Sequence, residues 1–521
     1  MLISMRRLIT VAFFLLALLP SGFVFWHARE APHLGAFQDD SLYVTTAKSL
    51  AEGRGYRILS LPGEPYMTKY PPLYPFLLSL VWRLDNQFPQ NLRWVMLIQW
   101  LIWLAFLTTL YLTARFLAKD NNLLIHTTLL LAAVAPAFVY LSASIMAESL
   151  FAALVLTSIV TLGADAKTTK TQAFWAGCAA GAAFLTKSAA LPLIAAGLLS
   201  LALRKRWVQG VLYALPTVGS LVAWRHWTHT HRLETNDVNL LYYLDYVEFY
   251  KHTTAFSDLL LLVNTNVSAL IESVGRLVVF TEHDYKPIRL VLVVVGMFAS
   301  YSTVVYLRRT KSSYIQWFFL LYCIQSLLWN YPPNERFLFP LLIVFIAGSL
   351  AGVKQLLERW AGFWVKSVLL TVWIVTITGW GASKTLLYLP TFVNTHGMRQ
   401  QRIACFADWA RDHIAAEDAV VAYRDADLYL YSGVKGIRLQ RLPGAFSRGL
   451  GEDVEELLKG APSYATRTQL RYLVWDRADY YDVPDVSFRA RMEKILGEMN
   501  SVRLEAEVCG VRLYRFERGE P

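Results

Sequence analysis

LITVAFFLLALLPSGFVFW, Leu8 to Trp26, decides what kind of chain this is. It follows Arg6-Arg7, so a secretory signal peptide is the first reading to test. The run is longer than a usual signal h-region, lacks a small-x-small cleavage site and is followed by further apolar runs. It therefore reads as a retained transmembrane helix. The 521-residue chain is 55% hydrophobic and only 17% charged, with a mean hydropathy of +0.36, unlike a soluble protein of this length.

Working outward, apolar runs approaching the ~20 residues needed to cross a bilayer recur as far as residue 385. They lie near 8–26, 93–115, 122–140, 143–163, 173–186, 188–203, 207–224, 288–307, 314–330, 336–353 and 362–385. The expectation is an all-α polytopic membrane protein with about eleven transmembrane helices and a long first exterior loop. Segment 258–281 is apolar but interrupted by Asn264, Asn266, Glu272 and Arg276, and it is placed as an amphipathic or re-entrant helix. With the N-terminus in the cytosol, every second loop is basic. These loops hold Arg6-Arg7, Arg115 with Lys119, Lys167 with Lys170, Arg204-Lys205-Arg206, Arg308-Arg309 with Lys311, and Lys354 with Arg359. The net charge of +11 is read as this topology signal and not as a nucleic-acid patch.

The expected division is a membrane domain over 1–385, with exterior loops at about 27–92 and 225–287, and an extracytoplasmic domain over 386–521. In that tail AVVAY, RYLVWD and GVRLYRFE read as strands and DVEELLKG as a helix, giving a small C-terminal α/β domain. It carries no phosphate-loop glycines and no metal-ligand spacing. Cys405 and Cys509 fall in it; pairing is possible outside the cytosol, but two separate thiols are favoured.

On this topology several ionisable residues collect at the exterior face. They are Asp39 and Asp40 in FQDDSLYVTTAKSLAEGRGY, Lys69 in MTKYPPLYP, Glu148, Lys187 and Glu335-Arg336. Charges in or beside a span are costly and usually face a wet cavity or the protein interior. Each has a plain structural explanation as well. The two aspartates suit a helix N-terminus, Lys69 suits a snorkelling lysine, Glu148 and Lys187 suit an interhelical pair, and Glu335-Arg336 suit boundary charges. Taken together they fit a surface reaction in which a sugar leaves a lipid phosphate for an acceptor hydroxyl. A carboxylate takes the proton and fixed cations receive the phosphate charge. Such a displacement would invert the anomeric carbon.

DDSLYVTTAKSLAEGRGY, KYPPLYPFLL, MAESLF, LTKSAAL and ERFLFPLL, in this order, resemble the C-type (GT-C) glycosyltransferase superfamily. The resemblance is to bacterial relatives of protein O-mannosyltransferases and lipid A aminoarabinose transferases, over roughly residues 8–385. It implies that Asp39 is the catalytic base, with Asp40 the second acid in place of the commoner Glu. It also implies that Lys69 and Arg336 contact the donor phosphate. Tyr43, Tyr70, Glu148, Lys187 and Glu335 are expected to bind substrate or shape the site.

The implied donor is a polyprenyl-phosphate sugar, and the acceptor a glycolipid, polysaccharide or protein. No cofactor is required, although a divalent metal remains open. No nucleic-acid partner is expected. The location is the inner membrane, with the N-terminus cytoplasmic and the tail periplasmic. The competing reading is a lipid or sugar transporter or flippase, for which repeated halves and acids deep within spans would be expected.

Overall fold

A computed structural model describes residues 2–29, 34–35, 37–118, 121–163, 168–280, 286–310, 312–360, 363–443, 452–480 and 487–517. The loop lysines Lys119, Lys167 and Lys311 lie outside these. The fold is mostly helical, with a small sheet near the C-terminus. It divides into two compact units. The first comprises 1–30, 96–226 and 259–393; the second comprises 31–95, 227–258 and 394–521. The second thus gathers most of the first stretch expected to be an exterior loop, about half of the second, and the tail from residue 394.

The first unit is a helix bundle. Among the described residues four helices are long and apolar enough to cross a membrane: Thr10–Ala28, Leu92–Ala118, Ile288–Arg309 and Glu335–Glu358. Six qualify if each of two bent pairs counts as one span, against the eleven expected. The difference arises because several apolar runs form short or broken helices. Pro136 breaks the ladder between Asn122–Val134 and Pro136–Ser142, which meet at 69°. Glu148–Leu162 and Ser188–Leu203 are apolar but shorter. The chain is a multi-pass membrane protein.

The ambiguous segment 258–281 is the helix Leu259–Val279, bent 81° from Tyr246–Thr253. Asn266, Glu272 and Arg276 among its polar interruptions find partners, while Asn264 is exposed. Asn266 donates to the carbonyls of Leu327 (3.0 Å) and Trp329 (2.6 Å), and Glu272 accepts from Arg276 (2.6 Å) and Arg289 (2.9 Å). Gly275 and Gly296 let this helix lie against Lys286–Arg309 at backbone contact. A Cβ on either would strike the opposing carbonyl, of Leu292 or Ile271.

The second unit is built on a five-stranded sheet. Its strands are β1 (Ala419–Ala422), β2 (Lys435–Ile437), β3 (Tyr472–Asp476), β4 (Val502–Val508) and β5 (Val511–Phe516), in the order β2-β1-β3-β5-β4. The first three are mutually parallel, while β5 is antiparallel to β3 and β4. β1, β3 and β5 are the strands read from sequence. β2 is three residues long and β4 is largely solvent-facing, so neither carries an apolar run.

Phe406, Val420, Leu428, Val474 and Leu513 pack between the sheet and the helix Leu389–His413. Cys405 on that helix is disulfide-bonded to Cys509 in the β4–β5 turn, where two free thiols had been favoured. The sequence separation of 104 hid a proximity that the sheet creates. The loops join the same unit. The Gly436 N–H donates to Ser60 O (2.9 Å), Gln440 N–H to Asn239 Oδ1 (2.8 Å), and Tyr464 Oη to Asp237 (2.7 Å).

Candidate active site

The expected site residues fall in both units. Asp39, Asp40, Tyr43, Lys69 and Tyr70 are in the second; Glu148, Lys187, Glu335 and Arg336 are in the first.

FQDDSLYV begins the helix Gln38–Ala51, and the two aspartates part company there. Phe37 at the N-cap has no side-chain oxygen, so Asp40, three residues on, reaches back to satisfy the free amides of the first turn. Its Oδ2 accepts from Phe37 N–H (3.1 Å) and its Oδ1 from Ser41 N–H (2.7 Å). Asp40 is fully buried. Burial, and secondarily the charge of Asp427, raise its pKa well above the usual carboxylate range.

Ser41 Oγ hydrogen-bonds both Asp40 (3.1 Å) and Asp427, and Asp427 is ion-paired with Arg424 at 2.6 Å. One hydroxyl hydrogen cannot serve two carboxylates, so a protonated Asp40 donating to Ser41 Oγ completes the chain. Asp40 is thus a buried cap whose carboxyl is biased toward the neutral form.

Asp39, one residue earlier, points elsewhere. Tyr70 Oη donates to its Oδ1 at 2.5 Å. The Tyr70 ring is backed by the buried Tyr43 at a centroid distance of 5.1 Å, and Tyr43 rests on Tyr74. Pro71 and Pro72 end the extended stretch and start the helix Leu73–Leu84, while Tyr56 Oη holds the Tyr70 carbonyl at 3.0 Å. The segment before Lys69 is pinned by the second loop. Trp227 Nε1 donates to Met67 O (3.0 Å) and Thr68 Oγ1 to Leu244 O (2.5 Å).

Lys69 is half-buried in an aromatic cage. Its Nζ lies 3.5 Å from the Tyr242 centroid, 4.8 Å from Tyr70 and 5.2 Å from Tyr246. Burial pushes its pKa down to about 7, Asp39 opposes this, and Arg438 adds to it.

The tail surrounds this site with charges that no motif marked. Asp425 accepts from Tyr243 Oη at 3.0 Å, and its pKa is raised by burial to about 7. Asp479 is likewise raised, by burial and then by Asp476. Gly35, at φ +74°, lies where a Cβ would meet the Asp427 carboxylate and the Arg424 guanidinium. Asp427, Asp425 and Arg438 are remote in sequence from Asp39. The only local signal was charge beside short apolar strands. Among the described residues no group of three or more His, Cys, Asp or Glu is placed to hold a metal ion.

In the first unit Glu148 opens the helix Glu148–Leu162 and is buried. Its Oε1 accepts from Lys187 Nζ (3.0 Å), Arg336 Nε (2.9 Å) and Arg336 Nη2 (2.5 Å). Two cations thus share one carboxylate oxygen. Glu335 is 3.7 Å from Arg276.

Residues 69–227 match the family described as dolichyl-phosphate-mannose-protein mannosyltransferases. No curated protein matches the chain significantly. Among solved structures, ArnT from Cupriavidus metallidurans in the apo state aligns with a TM-score of 0.54 at 13% identity, covering 98% of each chain. The same protein bound to undecaprenyl phosphate aligns at 0.56 and 11%, covering 97% of each. At these identities the likeness is one of fold. The chain shares its overall fold with ArnT.

Proposed function

We propose that this protein is an integral membrane glycosyltransferase that moves a sugar from a polyprenyl-phosphate donor to an acceptor hydroxyl at the extracytoplasmic face. The observation that carries the reading is the group Asp39, Tyr70 and Lys69. It sets a carboxylate, oriented by a phenol, next to a caged cation. Asp39 takes the acceptor proton as the acceptor oxygen attacks the anomeric carbon from the face opposite the phosphate. The bond from that carbon to the phosphate oxygen breaks, and its electron pair leaves with the lipid phosphate, which Lys69 receives. One displacement inverts the anomeric centre. Asp40, buried and biased toward the neutral form, holds the helix end that presents Asp39.

The resemblance assigns Arg336 a phosphate-binding role too, and its place beside Lys187 on Glu148 gathers two cations there. Fixed cations suffice for a lipid monophosphate leaving group, so the proposed step uses no metal. The fold likeness to ArnT bound to undecaprenyl phosphate supports a donor of this chemistry. The Cys405–Cys509 disulfide supports a tail outside the reducing cytosol, with the N-terminus inside and the inner membrane as location. The acceptor is a glycolipid, polysaccharide or protein.

The test is Asp39→Asn in liposomes supplied with labelled polyprenyl-phosphate sugar. Loss of transfer with unchanged expression and melting temperature is expected. Turnover near wild type would remove Asp39 as the base.

A further inference from the structure

Two cations stand near one another in the second unit, from segments almost 370 positions apart: Lys69 in the first loop and Arg438 just after β2. Arg438 is held by aromatic contact as Lys69 is. Its guanidinium lies 3.8 Å over the Tyr423 ring, and its backbone N–H donates to Tyr243 Oη at 3.2 Å. Arginine stacked by its face keeps its N–H fork in the plane, directed at whatever acceptor lies beside the ring. The Nε of Arg438 is buried without a hydrogen-bond partner, although the Asp425 and Asp479 carboxyls lie close enough to feel its charge. Neighbouring tyrosines bring the two cations to one place: Lys69 sits on Tyr242, Arg438 binds Tyr243, and the two rings are 6.0 Å apart, so each cation disfavours the other and an anion beside them would relieve both. Arg336, by contrast, already has two of its nitrogens on Glu148.

We propose that Arg438 is a second phosphate-binding cation of the donor site, set beside Lys69 to receive the charge of the departing polyprenyl phosphate. This rests on the donor chemistry proposed above and makes the tail a part of the site. A sugar phosphodiester carries one negative charge, which Lys69 alone balances. When the anomeric C–O bond breaks, its electron pair stays on the phosphate oxygen. The acceptor oxygen bonds to carbon and its proton goes to Asp39. The leaving monophosphate then carries a second charge, and Arg438 meets it through a planar fork that fits phosphate. Its contribution is therefore greater in the transition state and product than in the bound donor, so it appears in kcat more than in KM.

The experiment uses the full-length protein in nanodiscs. Polyprenyl phosphate binding is measured directly, with uncharged polyprenol as control, alongside donor kcat and KM. Arg438→Gln is expected to weaken polyprenyl phosphate binding and to lower kcat, each by about 10- to 100-fold, the usual weight of a charge-assisted hydrogen bond. Donor KM moves by less than about threefold, polyprenol binding is unchanged, and Arg438→Lys recovers part of the loss.

Equal binding of polyprenyl phosphate by wild type and R438Q overturns the inference and leaves the donor reading standing. Failure of the wild type to bind it overturns both. Should R438Q misfold, dicarbonyl modification of wild-type arginines, mapped by mass spectrometry, replaces it. Protection of Arg438 by saturating polyprenyl phosphate supports the inference, and unchanged modification overturns it.

Discussion

Tyr70 Oη donates a 2.5 Å hydrogen bond to Asp39 Oδ1, while the neighbouring Asp40 is turned into the protein as a helix cap. Adjacent residues on a helix point about 100° apart, so a single turn assigns these two carboxylates to different environments. The first prediction separates them. Asp39→Asn is expected to lower transfer by at least ~10³-fold as a general base is lost. Asp40→Asn, which keeps a side-chain oxygen to cap the first turn, keeps activity within about tenfold, while Asp40→Ala costs about 1 kcal/mol of stability through the lost cap. Steady-state transfer and thermal melting of the three variants decide the matter. Equal loss in both Asn variants would contradict the division of roles.

Lys69 sets the second. A lysine lowered to about 7 loses its charge as pH rises through neutrality, and donor binding must then take up a proton. The donor phosphodiester does not titrate in this range. Donor KM is therefore expected to climb above pH 7, approaching tenfold per pH unit. In Lys69→Arg, whose charge is fixed, KM stays flat from pH 6 to 9. A wild-type KM independent of pH would refute the lowered lysine.

Gly35 carries the third prediction. It combines a positive φ with a position against Asp427 and Arg424, so Gly35→Ala introduces both backbone strain and a clash with a buried ion pair. A loss of about 1–3 kcal/mol is expected, read as a lowered melting temperature and faster proteolysis of the second unit. Gly460→Ala, inside a helix with open space around it, serves as the control and is expected to raise stability by about 0.5–1 kcal/mol.

The fourth concerns the disulfide. Replacing Cys405 and Cys509 with serine should cost about 2–4 kcal/mol, because the bond closes a long loop in the unfolded chain. In intact cells neither thiol should react with a maleimide before reduction. Labelling of both without a reductant would place the tail in a reducing compartment and overturn the proposed sidedness.

Glu148→Gln is the fifth. It removes the carboxylate that Lys187 and Arg336 share, so a destabilisation of about 3 kcal/mol is expected. Adding Lys187→Met relieves the repulsion and restores part of it. A double-mutant cycle on melting temperature reads the coupling, and strict additivity would refute the shared-carboxylate geometry.

Most of the architecture was legible because lipid leaves few alternatives for the backbone. Long apolar runs such as Leu8–Trp26 must be helices, and alternating or apolar short runs such as YLVWD must be strands. Helix breaks were less legible. Pro136 marks one plainly, but nothing local announces that Leu259–Val279 uses Asn266 and Glu272 as packing contacts, since their partners lie up to 63 residues away. Cys405 and Cys509 were ambiguous for the same reason.

Residue type and order alone were enough to pick out the acidic pair, Lys69 and the superfamily resemblance, since these are local patterns of charge beside apolar helices. Folding decided what each does. Asp40 is biased toward its neutral form only because burial and Asp427 surround it, and Lys69 becomes titratable only inside its tyrosine cage. Arg438 comes beside Lys69 only when β2 docks onto the first loop through Gly436 and Ser60. Desolvation and charge proximity depend on three-dimensional neighbours, which a linear pattern does not encode.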